Sequence, residues 1–139
     1  MARRATIIQR QRKAAKAFLL LDAGNTLFGD GQVSQRTRGQ ANVEAMNRLG
    51  YDALTLGQLE FGLKFEELQA RIAEAKFAVL SANIVSQDGQ RTLVAPYVAK
   101  DLGNGHRAAV IGLTTNEADQ LVRSVTNGTY QVVDPMATA

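Results

Sequence analysis

The feature that most constrains this chain is an alternation in which short apolar runs of strand length are separated by segments with helical periodicity. Ile7, Ile8, Gln11, Ala14 and Ala15 form a weak helical stripe, and Phe18-Leu19-Leu20-Leu21 follows as an apolar run ending at Asp22-Ala23-Gly24. A short apolar run closed by a turn reads as a buried strand. Val43, Met46 and Leu49 then recur at helical spacing, which predicts a helix from about Arg36 to Leu49, stopped by Gly50 as a left-handed cap. Ala53 to Leu56 is a second short strand. Phe65, Leu68, Ile72 and Ala75 share one face of the most periodic helix, with Glu67 and Arg71 spaced to pair along it, and Phe77 to Ser81 is a third buried run. Strands alternating with helices call for an α/β fold with a mainly parallel sheet, because parallel neighbours need a crossover, usually a helix. Loops that follow the carboxyl ends of such strands gather on one rim, where function is expected.

Beyond Asn83 the pattern changes. Val94 to Lys100, an Asn104-Gly105 turn and Arg107 to Leu113 read as an antiparallel hairpin. A second turn at Asn127-Gly128 leads into a strand at Tyr130 to Val133, which Pro135 ends. The length of 139 residues suits one domain over residues 1–139, with no repeat or long linker inside it.

Composition removes several chemistries. The chain has no cysteine, so disulfides, thiolate nucleophiles and thiolate zinc sites are excluded. No apolar stretch reaches the roughly 18–20 residues of a membrane span. The basic start lacks the apolar core and cleavage site of an export signal, which leaves the cytoplasm as the default expectation. The net charge of +3 arises at that start, where Arg3, Arg4, Arg10, Arg12, Lys13 and Lys16 precede the first acid, Asp22. These cations are spread around a helix with no aromatic among them, which argues against a nucleic-acid surface. The single histidine, His106, sits beside a turn and is expected to be solvated, since a general base needs a partnered setting.

The two rim junctions read Asp22-Ala23-Gly24-Asn25-Thr26-Leu27-Phe28-Gly29 and Gly57-Gln58-Leu59-Glu60-Phe61-Gly62. Together with the stretch from Gly39 through Asn42, Met46 and Gly50 to Ala53, and with Leu80-Ser81-Ala82-Asn83, they resemble the calcineurin-like metallophosphatase domain of bacterial 5'-nucleotidases and UDP-sugar hydrolases. The resemblance runs over nearly the whole chain in the right order. It implies a partial metallophosphatase-type layered sandwich, with the parallel sheet and flanking helices followed by the hairpin. It also implies a family chemistry of phosphate-ester hydrolysis on two divalent metals, such as Mn, Zn or Mg, held by Asp-x-Gly-Asp and Gly-Asn-His-Glu. Here the position matching the bridging Asp is Asn25, and those matching Asn-His are Gln58 and Leu59. A neutral amide does not give two anionic oxygens to cations about 3.5–4 Å apart, and Leu59 neither donates nor accepts. The family's Asp-x-His strand and later histidine loops have no counterpart, so the chain reads as the middle of such a domain.

Asp22 and Glu60 are the carboxylates left for a weak metal site, or else they cap a backbone turn and bracket a helix. Gly24 and Gly57 serve tight turns. Arg36 and Arg38 are candidates for anion or nucleotide binding. Thr114 and Thr115 end a strand near the rim without assigned chemistry. The resulting expectation is a degenerate domain that is inactive alone, uses no cofactor, and serves binding or assembly. Self-association or a partner protein would cover its sheet edges. Two alternatives stand beside it: a metal-dependent 5'-nucleotidase completed by another chain, and a metal-independent nucleotide-binding module.

Overall fold

A computed structural model describes residues 2–103 and 105–139; Asn104, half of the expected hairpin turn, lies outside the described residues. The chain opens with helix α1 (Ala2–Ala14) and strand β1 (Leu21–Asp22), followed by helices α2 (Gln32–Thr37) and α3 (Gln40–Leu49). Strand β2 (Ala53–Thr55), a 3-10 turn at Leu59–Gly62, helix α4 (Phe65–Glu74) and strand β3 (Ala78–Leu80) complete the first half. The three strands form one parallel sheet in the order β1-β2-β3, with Leu21 opposite Ala53 and Leu54 opposite Val79. Val43 and Met46 of α3 and Leu68 of α4 pack with Leu54 and Val79 in one buried cluster, which also takes in Leu27 and Phe61 from the rim loops. This is the crossover packing expected of parallel strands.

The second half adds antiparallel pairs. Strand β4 (Ile84–Ser86) pairs with β7 (Tyr130–Val132), and β5 (Tyr97–Gly103) pairs with β6 (His106–Ile111) in the expected hairpin. Helix α5 (Asp119–Val125) brings Val122 into the same core. Helix α6 (Pro135–Thr138) starts on Pro135, where a missing N–H costs nothing, and Asp134 accepts from the Met136 N–H as its cap.

Three sequence expectations need correction, and some elements carry no sequence signal. The Phe18 to Leu21 run is not a buried strand: only Leu21–Asp22 joins the ladder, and Leu21 is 46% exposed because β1 is paired on one side. The helix expected from Arg36 to Leu49 is two helices, broken at Arg38 and Gly39, whose φ angles are 48° and 82°. A Cβ on Gly39 would stand 2.6 Å from the Leu27 carbonyl oxygen, so the rim loop forces the break. Glu67 does not pair with Arg71. It binds Arg38, while Arg71 binds Glu74 and donates to the carbonyls of Thr37 and Arg38, satisfying groups that the end of α2 leaves free. Finally, β4 and α5 were not anticipated, since three and seven residues are too few to carry a period.

Candidate functional site at the carboxyl ends of β1 and β2

The rim is organised by one buried carboxylate. Glu60 has no exposed surface, and its two oxygens accept from four backbone N–H groups. Oε2 takes those of Asn25 and Gly57, each at 2.9 Å, and Oε1 takes those of Thr26 at 2.8 Å and Leu27 at 3.0 Å. Hydrogen bonds to an ionised acceptor are the strong ones, and here they hold the loop after β1 against the loop after β2. The glycines make this approach possible. Gly24 has φ +98°, and a Cβ there would meet the Gly57 nitrogen at 2.6 Å; a Cβ on Gly57 would meet Asn25 Oδ1 at 2.5 Å.

Between these glycines Asn25 adopts φ 58°, a left-handed conformation that Asn tolerates better than most residues. Its Oδ1 accepts from the Leu59 N–H at 2.8 Å, so the amide faces the neighbouring loop through oxygen and keeps its Nδ2 unpaired among the described residues. Leu59 is 41% exposed. Asp22 Oδ1 accepts from the Gly24 N–H at 3.1 Å, within its own turn. Gln58 is half-buried beside them.

These residues do not fit a two-metal centre. The Asn25 oxygen is neutral and already hydrogen-bonded, Leu59 has no donor atom, and both Glu60 oxygens are saturated by amides. Among the described residues no three His, Cys, Asp or Glu side chains converge as a metal site.

The remaining candidates are dispersed. Arg38 Nε and Nη2 donate to Glu67 at 2.9 and 2.7 Å, and its guanidinium lies over the Phe28 ring, 5.0 Å from the centroid. The Arg38 hydrogen bond, helped by the Lys64 N–H, lowers the Glu67 carboxyl to about 2. Arg38 is thus engaged on both its edge and its face, whereas Arg36 is exposed on α2. His106 is exposed at the start of β6, away from the rim. Thr115 accepts weakly from the Glu117 N–H at a 3-10 start.

Thr114 belongs to a buried network that the sequence did not reveal. Its Oγ1 donates to the Leu56 carbonyl and lies 2.8 Å from Ser81 Oγ, while its N–H donates to Asn83 Oδ1. Asn83 Nδ2 in turn donates to the carbonyls of Thr114 and Val133. The network ties the ends of β2, β3 and β6 to the segment after β7. Only the run Leu80-Ser81-Ala82-Asn83 gave a signal, and it was legible through resemblance rather than through periodicity.

Beside Asn25 the rim opens into a shallow cleft of about 450 Å³, lined by Asn25, Phe28, Asp30, Val33, Ser34 and Leu59 among others. No helix among the described residues is long and apolar enough to cross a membrane.

Comparison with known proteins gives this geometry its family. No protein-family model matches the chain. Among curated proteins, UshA of Yersinia enterocolitica is 34% identical over 114 residues, 82% of this chain and 20% of that protein. The 5'-nucleotidase of Vibrio parahaemolyticus is 32% identical over 143 residues, 100% of this chain and 25% of that one. Among solved structures, the calcineurin-like phosphoesterase YfkN from Bacillus subtilis superposes with TM-score 0.80 at 28% identity, covering 100% of this chain and 47% of that one. The 5'-nucleotidase precursor from Thermus thermophilus gives TM-score 0.81 at 34% identity over 97% of this chain and 26% of that one. The chain therefore spans 20 to 25% of the length of these two curated relatives. The identities over most of the chain and the shared fold show that the chain belongs to the 5'-nucleotidase family, as a segment of its calcineurin-like metallophosphoesterase domain.

Proposed function

We propose that residues 1–139 fold as one unit and supply part of a metal-dependent phosphoesterase of the 5'-nucleotidase type. This is a hydrolase of phosphate esters whose metal ligands come from outside these residues. The observation that carries the reading is the similarity to UshA and to the Vibrio nucleotidase over 82 to 100% of the chain. The Glu60 clamp supports it, since it holds the two rim loops in a fixed relation, as a positioning scaffold must. In this reading the divalent metals are those of the family, and the substrate class is the nucleotide 5'-phosphate named for the relatives.

A second reading, binding or assembly without hydrolysis, is favoured by one specific feature: the Asn25 oxygen is occupied by the Leu59 N–H where the family places a bridging carboxylate. Its assembly surface would be the hollow of about 270 Å³ that β1 and β2 share with Val110 and Ile111 of β6, where Leu21 and Ile111 are 46% and 52% exposed, open to a second copy or a partner chain.

Phosphate release from AMP and from an aryl phosphate, with and without excess Mn²⁺, separates the two. The assay is run on this chain, on its mixture with the completing polypeptide, and on the triple variant Asn25→Asp, Gln58→Asn, Leu59→His. The hydrolase reading expects metal-dependent turnover in the mixture, raised by the triple variant. Absence of turnover in every mixture, variant included, would sink it and leave the binding reading.

A further inference from the structure

We propose that the outward face of the hairpin β5–β6 docks a second copy of this chain, the two hairpins packing face to face about a twofold axis that runs along their strands. The inference deepens the assembly reading, on which it rests for association as such, and is independent of hydrolysis.

Alternation along the hairpin separates two faces. Val98, Lys100 and Leu102 of β5 and Val110 of β6 are half-buried against the body of the molecule, with Lys100 Nζ 3.4 Å from Asp52 Oδ1. At the foot of β6 the Gly112 N–H donates to the Pro96 carbonyl, and the Gly112 carbonyl accepts from the Ala82 N–H. A Cβ on Gly112 would stand 2.6 Å from Leu80 Cβ, so the hairpin sits tightly on the end of β3. Its opposite face carries three directly opposed pairs, Tyr97 with Ile111, Ala99 with Ala109 and Asp101 with Arg107. All six are exposed, Tyr97 to 59% and Ile111 to 52%, and Leu113, 37% exposed, extends the apolar strip. A sheet with one solvated face normally turns its polar residues out. Here a lysine is turned in, and a tyrosine, an isoleucine and two alanines are turned out.

The charges near the tip select the occupant and its orientation. Asp101 Oδ1 accepts from the Gly103 N–H at 2.7 Å, and Arg107 has no ion-pair partner among the described residues although Asp101 is its cross-strand neighbour. An isologous interface must be complementary to itself. With the axis along the strands, β5 lies over β6 of the second copy, so Tyr97 meets Ile111, Ala99 meets Ala109 and Asp101 meets Arg107, each contact made twice. With the axis across the strands, the charges would fall on Tyr97 and Ile111 and be buried unpaired, which is costly. Sheet faces pack about 10 Å apart, and the central alanines allow that approach while the larger pair fills one end. Leu21 borders the same strip across the hollow that it shares with Ile111. A two-stranded face is small, so the dimer is weak and depends on concentration.

The test is sedimentation equilibrium of the whole chain and of two charge reversals, Asp101→Arg and Arg107→Asp, each by itself and then mixed in equal amounts. Either reversal by itself sets like charges against each other at both symmetry-related contacts. It should raise the dimer Kd about tenfold, the scale of two exposed pairs turned from attraction to repulsion. The mixture should return to the parent Kd, because a dimer of one variant with the other restores an opposite charge at both contacts. That recovery also shows that both variants are folded. Tyr97→Lys, at an exposed position, should weaken association at unchanged Tm. Association indifferent to both reversals, or a mixture no tighter than its components, would overturn the hairpin face. If Leu21→Lys nevertheless abolished association in that case, the assembly reading would stand without this inference. A monomer at every concentration would remove both.

Discussion

Glu60 illustrates how a single buried charge can organise two loops. With no exposed surface it would be costly to ionise in an apolar setting, but four amide hydrogens converge on its oxygens and replace the lost water. Glu60→Gln keeps the shape, removes the charge and turns an NH₂ group toward amides that are themselves donors. The expected loss is about 2–4 kcal/mol of stability, read as a lower urea midpoint at unchanged slope. A loss under about 0.5 kcal/mol, the range of ordinary surface changes, would show that the loops are held by something else. At this scale the turn glycines were legible, because Gly24 and Gly57 stand in turn-like sequence. The role of Glu60 was not, since a lone acid in a loop has no period and its partners, except Gly57, lie more than thirty positions away.

Among the elements, the junction of α2, α3 and α4 is set by two arginines on different segments. Arg38 in the helix break binds Glu67 on α4, and Arg71 on α4 binds the carbonyls at the end of α2. Because Arg38 holds the folded Glu67 carboxyl down from 4.5 to about 2, its contribution is complete above the ordinary carboxylate pKa and is lost as pH falls toward 2. Stability measured between pH 4.5 and 2 should fall less steeply for Glu67→Gln than for the parent chain. Added salt should shrink the difference, since both side chains are about one-third exposed. Identical acid limbs for the two proteins would show that the pair does not couple folding to pH. Helix periodicity locates α4 and the end of α3 at Leu49 but runs across the break at Arg38 and Gly39; the same periodicity suggests Glu67 with Arg71, because spacing identifies neighbours on one helix and is blind to a partner arriving from another.

For the whole molecule, the parallel sheet is covered by α3 and α4 on one side, while edge strand β1 shares with β2 and β6 a hollow lined by Leu21 and Ile111. Parallel sheets are normally buried on both faces, so this hollow is the expected site of association. Sedimentation of the isolated chain should show mass rising with concentration, and Leu21→Lys, at an edge position already 46% exposed, should suppress that rise without lowering stability. A monomer at all concentrations would remove the assembly surface proposed for β1.

The sequence by itself determined the α/β class, the mainly parallel sheet with its alternating helices, and the rim on which Asn25, Gln58, Leu59 and Glu60 meet. These depend on local apolar runs and turn residues that a single chain displays. Tertiary structure decided the rest: where the helix after β1 breaks, which acid Arg38 finds, and how Asn83, Ser81 and Thr114 close a buried network. It also decided that Glu60 faces four amides instead of a cation. Each of those outcomes depends on atoms distant in sequence being brought within about 3 Å, the range over which a hydrogen bond forms or a Cβ collides.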